Sequence, residues 1–246
     1  MTKELAKDEG SFESLYPDVI RAGALKVALQ AALRDLGSAL IVVDMTNSGA
    51  RNFVAYARVE EGARFSQIYM AAKERLFLFD FWDKGVMLAN ARSAELATTA
   101  SAIHDWVSST CRVAELRARH PFVVVQPDAE DHEQGKAVEA RWQVYLAHLP
   151  AQMPDLSPFL LAAAARKELR QLFPFTSHTT FCLSRCTGYP YTHDTPSVTP
   201  RGRDDYEVRL GRKILGRGNA QVAVELVIQG LPPNCGPAVP GTAEDL

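Results

Sequence analysis

Strand-like segments gathered in two groups, with helical patterns around each group instead of strict strand–helix alternation, predict an α+β fold of antiparallel sheets packed against helices. Three observations carry this expectation. Five consecutive apolar runs are separated by the turn chemistry NSGA, EEGA and DKG; a second set of strand runs begins at Thr179; and stretches with apolar residues at steps of three and four stand beside both sets.

The first helix is expected over Asp18–Leu36, where Leu25, Ala28, Leu29, Ala32, Leu33 and Leu36 make one stripe and Gly37 ends it. The runs ALIVVDMT (39–46), NFVAYARV (52–59), FSQIYMA (65–71), RLFLFDFW (75–82) and GVMLANA (85–91) then read as an antiparallel meander. Ser93 resembles an N-cap, with Leu96, Ala100, Ile103, Trp106 and Val107 forming the inner stripe of a helix that ends near Ser109. RVAELRARH gives a short helix and FVVVQP an extended run. Two helices follow over 129–148 and 158–173, the second capped by Ser157 with Pro158 at its first position. TTFCLSRC, PSVTP, DYEVRLG and RKILG are strands, and a last helix near Asn219–Gln229 turns Val222, Ala223, Leu226 and Val227 inward.

Both halves thus run helix, strands, helix, without a sequence-level repeat. The expected division is a disordered tail over 1–14, an N-terminal half over 15–126, a C-terminal half over 127–236 and a proline- and glycine-rich disordered tail over 237–246. With 246 residues, 47% of them hydrophobic, the chain can bury a large core. A formal charge of -2 supplies no global field toward nucleic acid or anionic lipid, so neither is an expected partner. The polar start MTKELAKDEG lacks a signal-peptide pattern and no run reaches the ~20 apolar residues of a membrane span, which predicts a cytoplasmic protein. The four cysteines show no CxxC pair or zinc-ligand spacing, so no metal site is expected.

The phrases LYPDV, FWDKGVMLA, LRQLFPFTSH, TGYPYTHDTP and LPPNCGPA occur in this order between Leu15 and Ala238. Together they resemble an uncharacterised family of actinobacterial proteins labelled natural product biosynthesis proteins. The resemblance implies a setting in secondary metabolism and assigns no residue a role.

Candidate chemistry comes from individual side chains. Aspartate is disfavoured inside strands, yet Asp80 stands in RLFLFDFW with Leu76, Leu78 and Trp82 on one face and three phenylalanines on the other. Burial there would raise its pKa and suit a general acid or base. Asp44, ending LIVVD, is a second case. The stretch Thr187–Pro200 holds three prolines that stiffen a loop carrying Tyr191 and His193, a phenol donor and a group titrating near neutrality. Adjacent residues of an extended loop diverge, so His193 and Asp194 are not expected to bond each other. His178 lies between the helix ending near Phe173 and the next strand. GRGN before the last helix offers Arg217, Gly218 and Asn219 as an anion site. Each candidate has a structural alternative: an ion pair for the carboxylates, a plain connection for the loop, a helix-end bond for His178, a turn for GRGN.

No nucleotide fingerprint, GxSxG elbow or HExxH motif is present, so an enzyme here would work without a cofactor. Two readings stand. In the first, Asp80 or Asp44 as base and His178, His193 or Tyr191 as donors catalyse condensation, cyclisation of Pictet–Spengler kind, isomerisation or dehydration of a small biosynthetic intermediate. The second is a non-catalytic binding, self-protection or accessory protein. The sequence leaves the oligomeric state open, a homodimer included.

Overall fold

The structure, a computed structural model, describes residues 12–43 and 56–246. The chain divides into two compact units, residues 1–83 with 87–129 and residues 84–86 with 130–246. The fold is α+β, with one six-stranded and one five-stranded antiparallel sheet among the described residues.

In the first unit, α2 (Pro17–Ala22) and α3 (Leu25–Asp35) replace the single helix expected over Asp18–Leu36, and α1 (Phe12–Leu15) precedes them. Gly23 is the reason: it adopts φ 92°, a left-handed conformation that ends α2 and costs a glycine little. Gly37, at φ 74°, stops α3 as its position predicts. β1 (Val42–Val43), β2 (Tyr56–Glu61), β3 (Arg64–Met70), β4 (Phe77–Asp83), β5 (Val86–Ser93, whose first residue belongs to the second unit) and β6 (Val124–Val125) pair in sequence order. β1 to β5 follow the five runs of the expected meander, of which residues 44–46 and 52–55 and the NSGA turn lie outside the described residues, and β6, from the extended run FVVVQP, joins at the edge. α4 (Leu96–Val107) lies across β2, β3 and β4, and α5 (Val113–Arg119) follows it. Ser93 is not the cap of α4. It ends β5, its Oγ accepts from Glu95 N at 3.0 Å, and Glu95 takes the N-cap position.

The phrase LYPDV has a structural role. Tyr16 is fully buried, and its hydroxyl reaches the carbonyls of Ala71 (2.8 Å), Glu74 (2.9 Å) and Leu76 (3.0 Å) while accepting from Leu76 N (3.0 Å). Arg75 forks onto Asp18 with both bonds at 2.8 Å. The connection between β3 and β4 is therefore tied to the N-terminal helices by side chains of that one phrase.

In the second unit, α6 (Ala129–Glu133, whose first residue belongs to the first unit) and α7 (Ala137–Gln152) replace the expected helix over 129–148, broken by Gly135 at φ 71°. α8 (Ser157–Ala164) and α9 (Lys167–Arg170) follow, with Leu156, not Ser157, at the N-cap of α8. The sheet runs β11-β10-β9-β8-β7, from β7 (Phe173–Ser177), β8 (Thr180–Ser184), β9 (Ser197–Gly202), β10 (Asp205–Leu210) and β11 (Lys213–Gly218). α7, α8 and α10 (Ala220–Gln229) cover one face. There Trp142, Phe159, Phe181, Leu183, Val198, Tyr206 and Val208 form the core, and Trp142 Nε1 donates to Leu172 O at 2.9 Å. Burying aromatic side chains with their polar atoms satisfied is the main stabilising effect here.

Two expectations are corrected in this unit. The helix expected over 158–173 is α8 and α9, and its last residue, Phe173, opens β7 instead, because Pro174 cannot continue a helix and Phe173 and Phe175 alternate with it. The segment over 237–246 is bonded to the rest of its unit. Thr187 N donates to Val239 O (3.0 Å), Val239 N to Arg185 O (3.0 Å) and Gly188 N to Gly241 O (2.7 Å), and Thr242 caps a final 3-10 turn at Ala243–Asp245. Of the N-terminal tail expected to be disordered, residues 1–11 lie outside the described residues and Phe12–Leu15 are helical.

Candidate functional site

The face of the second sheet opposite α7 and α10 and the loop after β8 form a cleft of about 660 Å3. Register dictates its floor. Phe181 pairs with Val198 toward the helices, so Cys182, paired with Phe175, turns to the other face, as does Thr180, paired with Ser177. Cys182, Thr180, Phe175 and Ser177 all line the cleft.

The wall is aromatic. Tyr191 lies against Phe175, with ring centres 4.5 Å apart and planes inclined by 30°, and Tyr189 stands perpendicular to Tyr191 at 5.9 Å. Tyr189 is 67% exposed, high for a ring of that size.

The loop that supplies this wall is held from within. Thr192 Oγ1 accepts from Arg185 N (3.0 Å), Thr192 N donates to Ser184 Oγ (3.2 Å), and Thr195 Oγ1 donates to Leu183 O (2.5 Å). Arg185 clamps Asp194 Oδ2 at 2.9 and 2.7 Å, so Asp194 bonds the guanidinium and not its neighbour His193, as expected. At Gly188 a Cβ would lie 1.9 Å from the Lys84 carbonyl, which no side chain could tolerate. TGYPYTHDTP is thus an anchored loop with His193 exposed between two buried threonines.

His178 also lines the cleft, from a position the sequence did not suggest. It sits at the tip of the β7–β8 hairpin with φ 55°, a left-handed conformation in which histidine is among the enriched residue types. Neither His178 nor His193 has a hydrogen-bond partner among the described residues, so both imidazoles are available to a ligand. Burial pushes the Cys182 thiol up to about 11, which keeps it protonated and unsuited to nucleophilic attack near neutrality. Of the sequence candidates, the structure therefore brings His178, His193 and Tyr191 around one cleft.

It does not bring the carboxylates. Asp80 belongs to the first unit, half-buried on the face of β4 opposite Phe77, Phe79 and Phe81, where Oδ1 accepts from Gln67 N at 2.9 Å. Burial raises its pKa, while the Gln67 N–H and the Arg58 charge pull the other way. Tyr56, on β2 and separated from β4 by β3, is raised by burial and by its bond with Tyr69. Asp80 does not line the cleft. Asp44 lies outside the described residues.

The expected anion site is a correction. Arg217 is engaged by Asp205, with Nε 2.9 and 3.0 Å from its two oxygens. Two of the first N–H groups of α10 are filled by the chain itself: Ala220 N donates to Asp204 Oδ1 (3.0 Å) and Val222 N to Asn219 Oδ1 (3.1 Å). GRGN is a capped helix start whose anion is an aspartate one turn of hairpin away. Among the described residues no group of three or more His, Cys, Asp or Glu is placed to hold a metal ion, and no helix is long and apolar enough to cross a membrane.

Residues 136–242 match a family described as "Family of unknown function (DUF6193)". The matched stretch contains every cleft residue, and its description assigns no activity. No curated protein and no solved structure matches the chain. Sequence reasoning missed Phe175, Thr176 and Cys182 as lining residues; the alternation in LFPFTSH was the available signal for β7, and Pro174 within it the sign that the helix had ended.

Proposed function

We propose that the second unit binds a small organic molecule in the Tyr191–Phe175 cleft and that His178 and His193 move protons on it, in a cofactor-independent acid/base step of bacterial natural-product biosynthesis. One observation carries this reading: two imidazoles without a hydrogen-bond partner among the described residues, delivered by a hairpin tip and by an anchored loop, line the same aromatic-walled cleft. The natural-product setting rests on the likeness of the phrases from LYPDV to LPPNCGPA.

Condensation and cyclisation suit such a pair. In imine formation one imidazolium gives its proton to the carbinolamine hydroxyl, which leaves as water. In ring closure a neutral imidazole takes the proton released from carbon as aromaticity returns. Isomerisation and dehydration need the same donor and acceptor. The base role considered for Asp80 passes to an imidazole, since Asp80 does not line the cleft.

A non-catalytic binding protein is the second reading. It is favoured by the absence, among the described residues, of a carboxylate bonded to either imidazole, the arrangement that usually orients a catalytic histidine. The deciding experiment incubates the purified chain, His178→Gln and His193→Gln with amine and carbonyl intermediates made by enzymes of neighbouring genes. Turnover that falls by ~10²–10⁴ in each variant, with binding retained, supports the acid/base reading. Binding without turnover in the unaltered chain selects the second reading, and full turnover in both variants removes the imidazoles from the chemistry.

A further inference from the structure

We infer that the molecule held in this cleft is uncharged and presents a flat aromatic ring with hydrogen-bonding oxygens at its edge, as an aryl ketone does; the inference rests on the cleft being the ligand site proposed above. The first argument is electrostatic. Among the described residues no aspartate, glutamate, lysine or arginine lines the cleft, whose polar groups are hydroxyls, phenols, imidazoles and one thiol. Charged side chains next to the cleft residues Thr195 and Ser197 are engaged in ion pairs. Asp194 is held by Arg185, and Arg209, which pairs with the cleft residue Ser197 across β9 and β10, shares Glu207 with Arg201 at 2.5 and 2.7 Å. An ionic substituent entering the cleft would lose hydration and find no carboxylate, ammonium or guanidinium in the lining, and that loss disfavours binding.

The second argument is shape. Tyr191 and Phe175 pack on each other with planes inclined by 30°, while Tyr189, perpendicular to Tyr191 and largely exposed, lines the cleft together with both imidazoles and offers its ring to a ligand. A planar aromatic molecule laid against Tyr189 would fill the corner in the offset or edge geometry that ring pairs prefer, at ~0.5–1.5 kcal/mol beyond area burial. Its edge oxygens would then meet donors without protein partners: His178, His193 and Ser177.

The test uses three naphthalenes on the full chain at pH 7.5: acetylnaphthalene, naphthoate and naphthylmethylammonium, with binding measured by calorimetry. Acetylnaphthalene is expected to bind at least tenfold tighter than either ion, and Tyr189→Ala, an exposed position, to weaken it about tenfold while the circular dichroism spectrum and melting curve stay unchanged. Equal or tighter binding of naphthoate or of the ammonium overturns the inference, as does failure of acetylnaphthalene to bind. Turnover plays no part in this readout, so a neutral preference without turnover sinks the acid/base reading alone, whereas turnover of a charged intermediate with no neutral preference sinks this inference alone.

Discussion

The half-buried thiol at the floor of the cleft gives a measurable handle on how dry that floor is. With its pKa at about 11 instead of an ordinary 9.0, Cys182 has about a hundredfold less thiolate at any pH well below both values. A more basic thiolate is also a better nucleophile, and a Brønsted slope of ~0.4–0.5 returns roughly eightfold of that loss. Alkylation by iodoacetamide at pH 7.5 should therefore run about tenfold slower than that of a free cysteine, and slower still by whatever access the cleft denies. The rate should keep rising tenfold per pH unit past 9, where an ordinary thiol has levelled off. The assay is mass spectrometry of the Cys182 peptide over time, with Cys182→Ser as the blank and acetylnaphthalene as a protecting ligand. A rate at pH 7.5 equal to that of a free thiol, with a plateau near pH 9, would refute the argument, because it would mean that water reaches Cys182 freely and that the cleft lacks the low dielectric on which the charge argument depends.

Tyr16→Phe keeps the ring against Phe77, 5.5 Å away, but leaves the polar backbone of Ala71, Glu74 and Leu76 without its partner; it should cost about 1–3 kcal/mol in urea unfolding, and a loss below 0.5 kcal/mol would remove the hydroxyl from the account of the first unit. Burial holds the folded-state pKa of Asp80 above the unfolded 3.8, so the stability contributed by its protonated form is fully present below 3.8 and is lost as pH rises through the folded value. Asp80→Asn, which keeps an oxygen for Gln67 N–H, should therefore be more stable than the unaltered chain at pH 7 and equal to it near pH 3 by thermal melting; a variant less stable at pH 7 would show that the charge is needed in the fold.

Periodicity and turn chemistry were enough to read the α+β class and both strand groups, since a buried face imposes its period on any chain that forms it. The steps of two in RLFLFDFW separate Phe77, Phe79 and Phe81 from Asp80, and that separation is what the structure shows. Pattern also marked TGYPYTHDTP as a stiff loop with His193 and Tyr191 on it. Local pattern failed where one residue reverses it: Gly23 and Gly135 divide helices that read as continuous, and Pro174 turns an apparent helix end into β7. Which groups meet was decided by tertiary structure alone. His178 and His193, fifteen positions apart in sequence, line one cleft because β7 and β8 form a hairpin and the following loop folds back over them, and spacing along a chain carries no record of that folding. The same holds for charge: Arg217 and the α10 N-terminus read as an open anion site in one dimension, and only the β10–β11 hairpin and the turn before it bring Asp205 and Asp204 close enough to fill it.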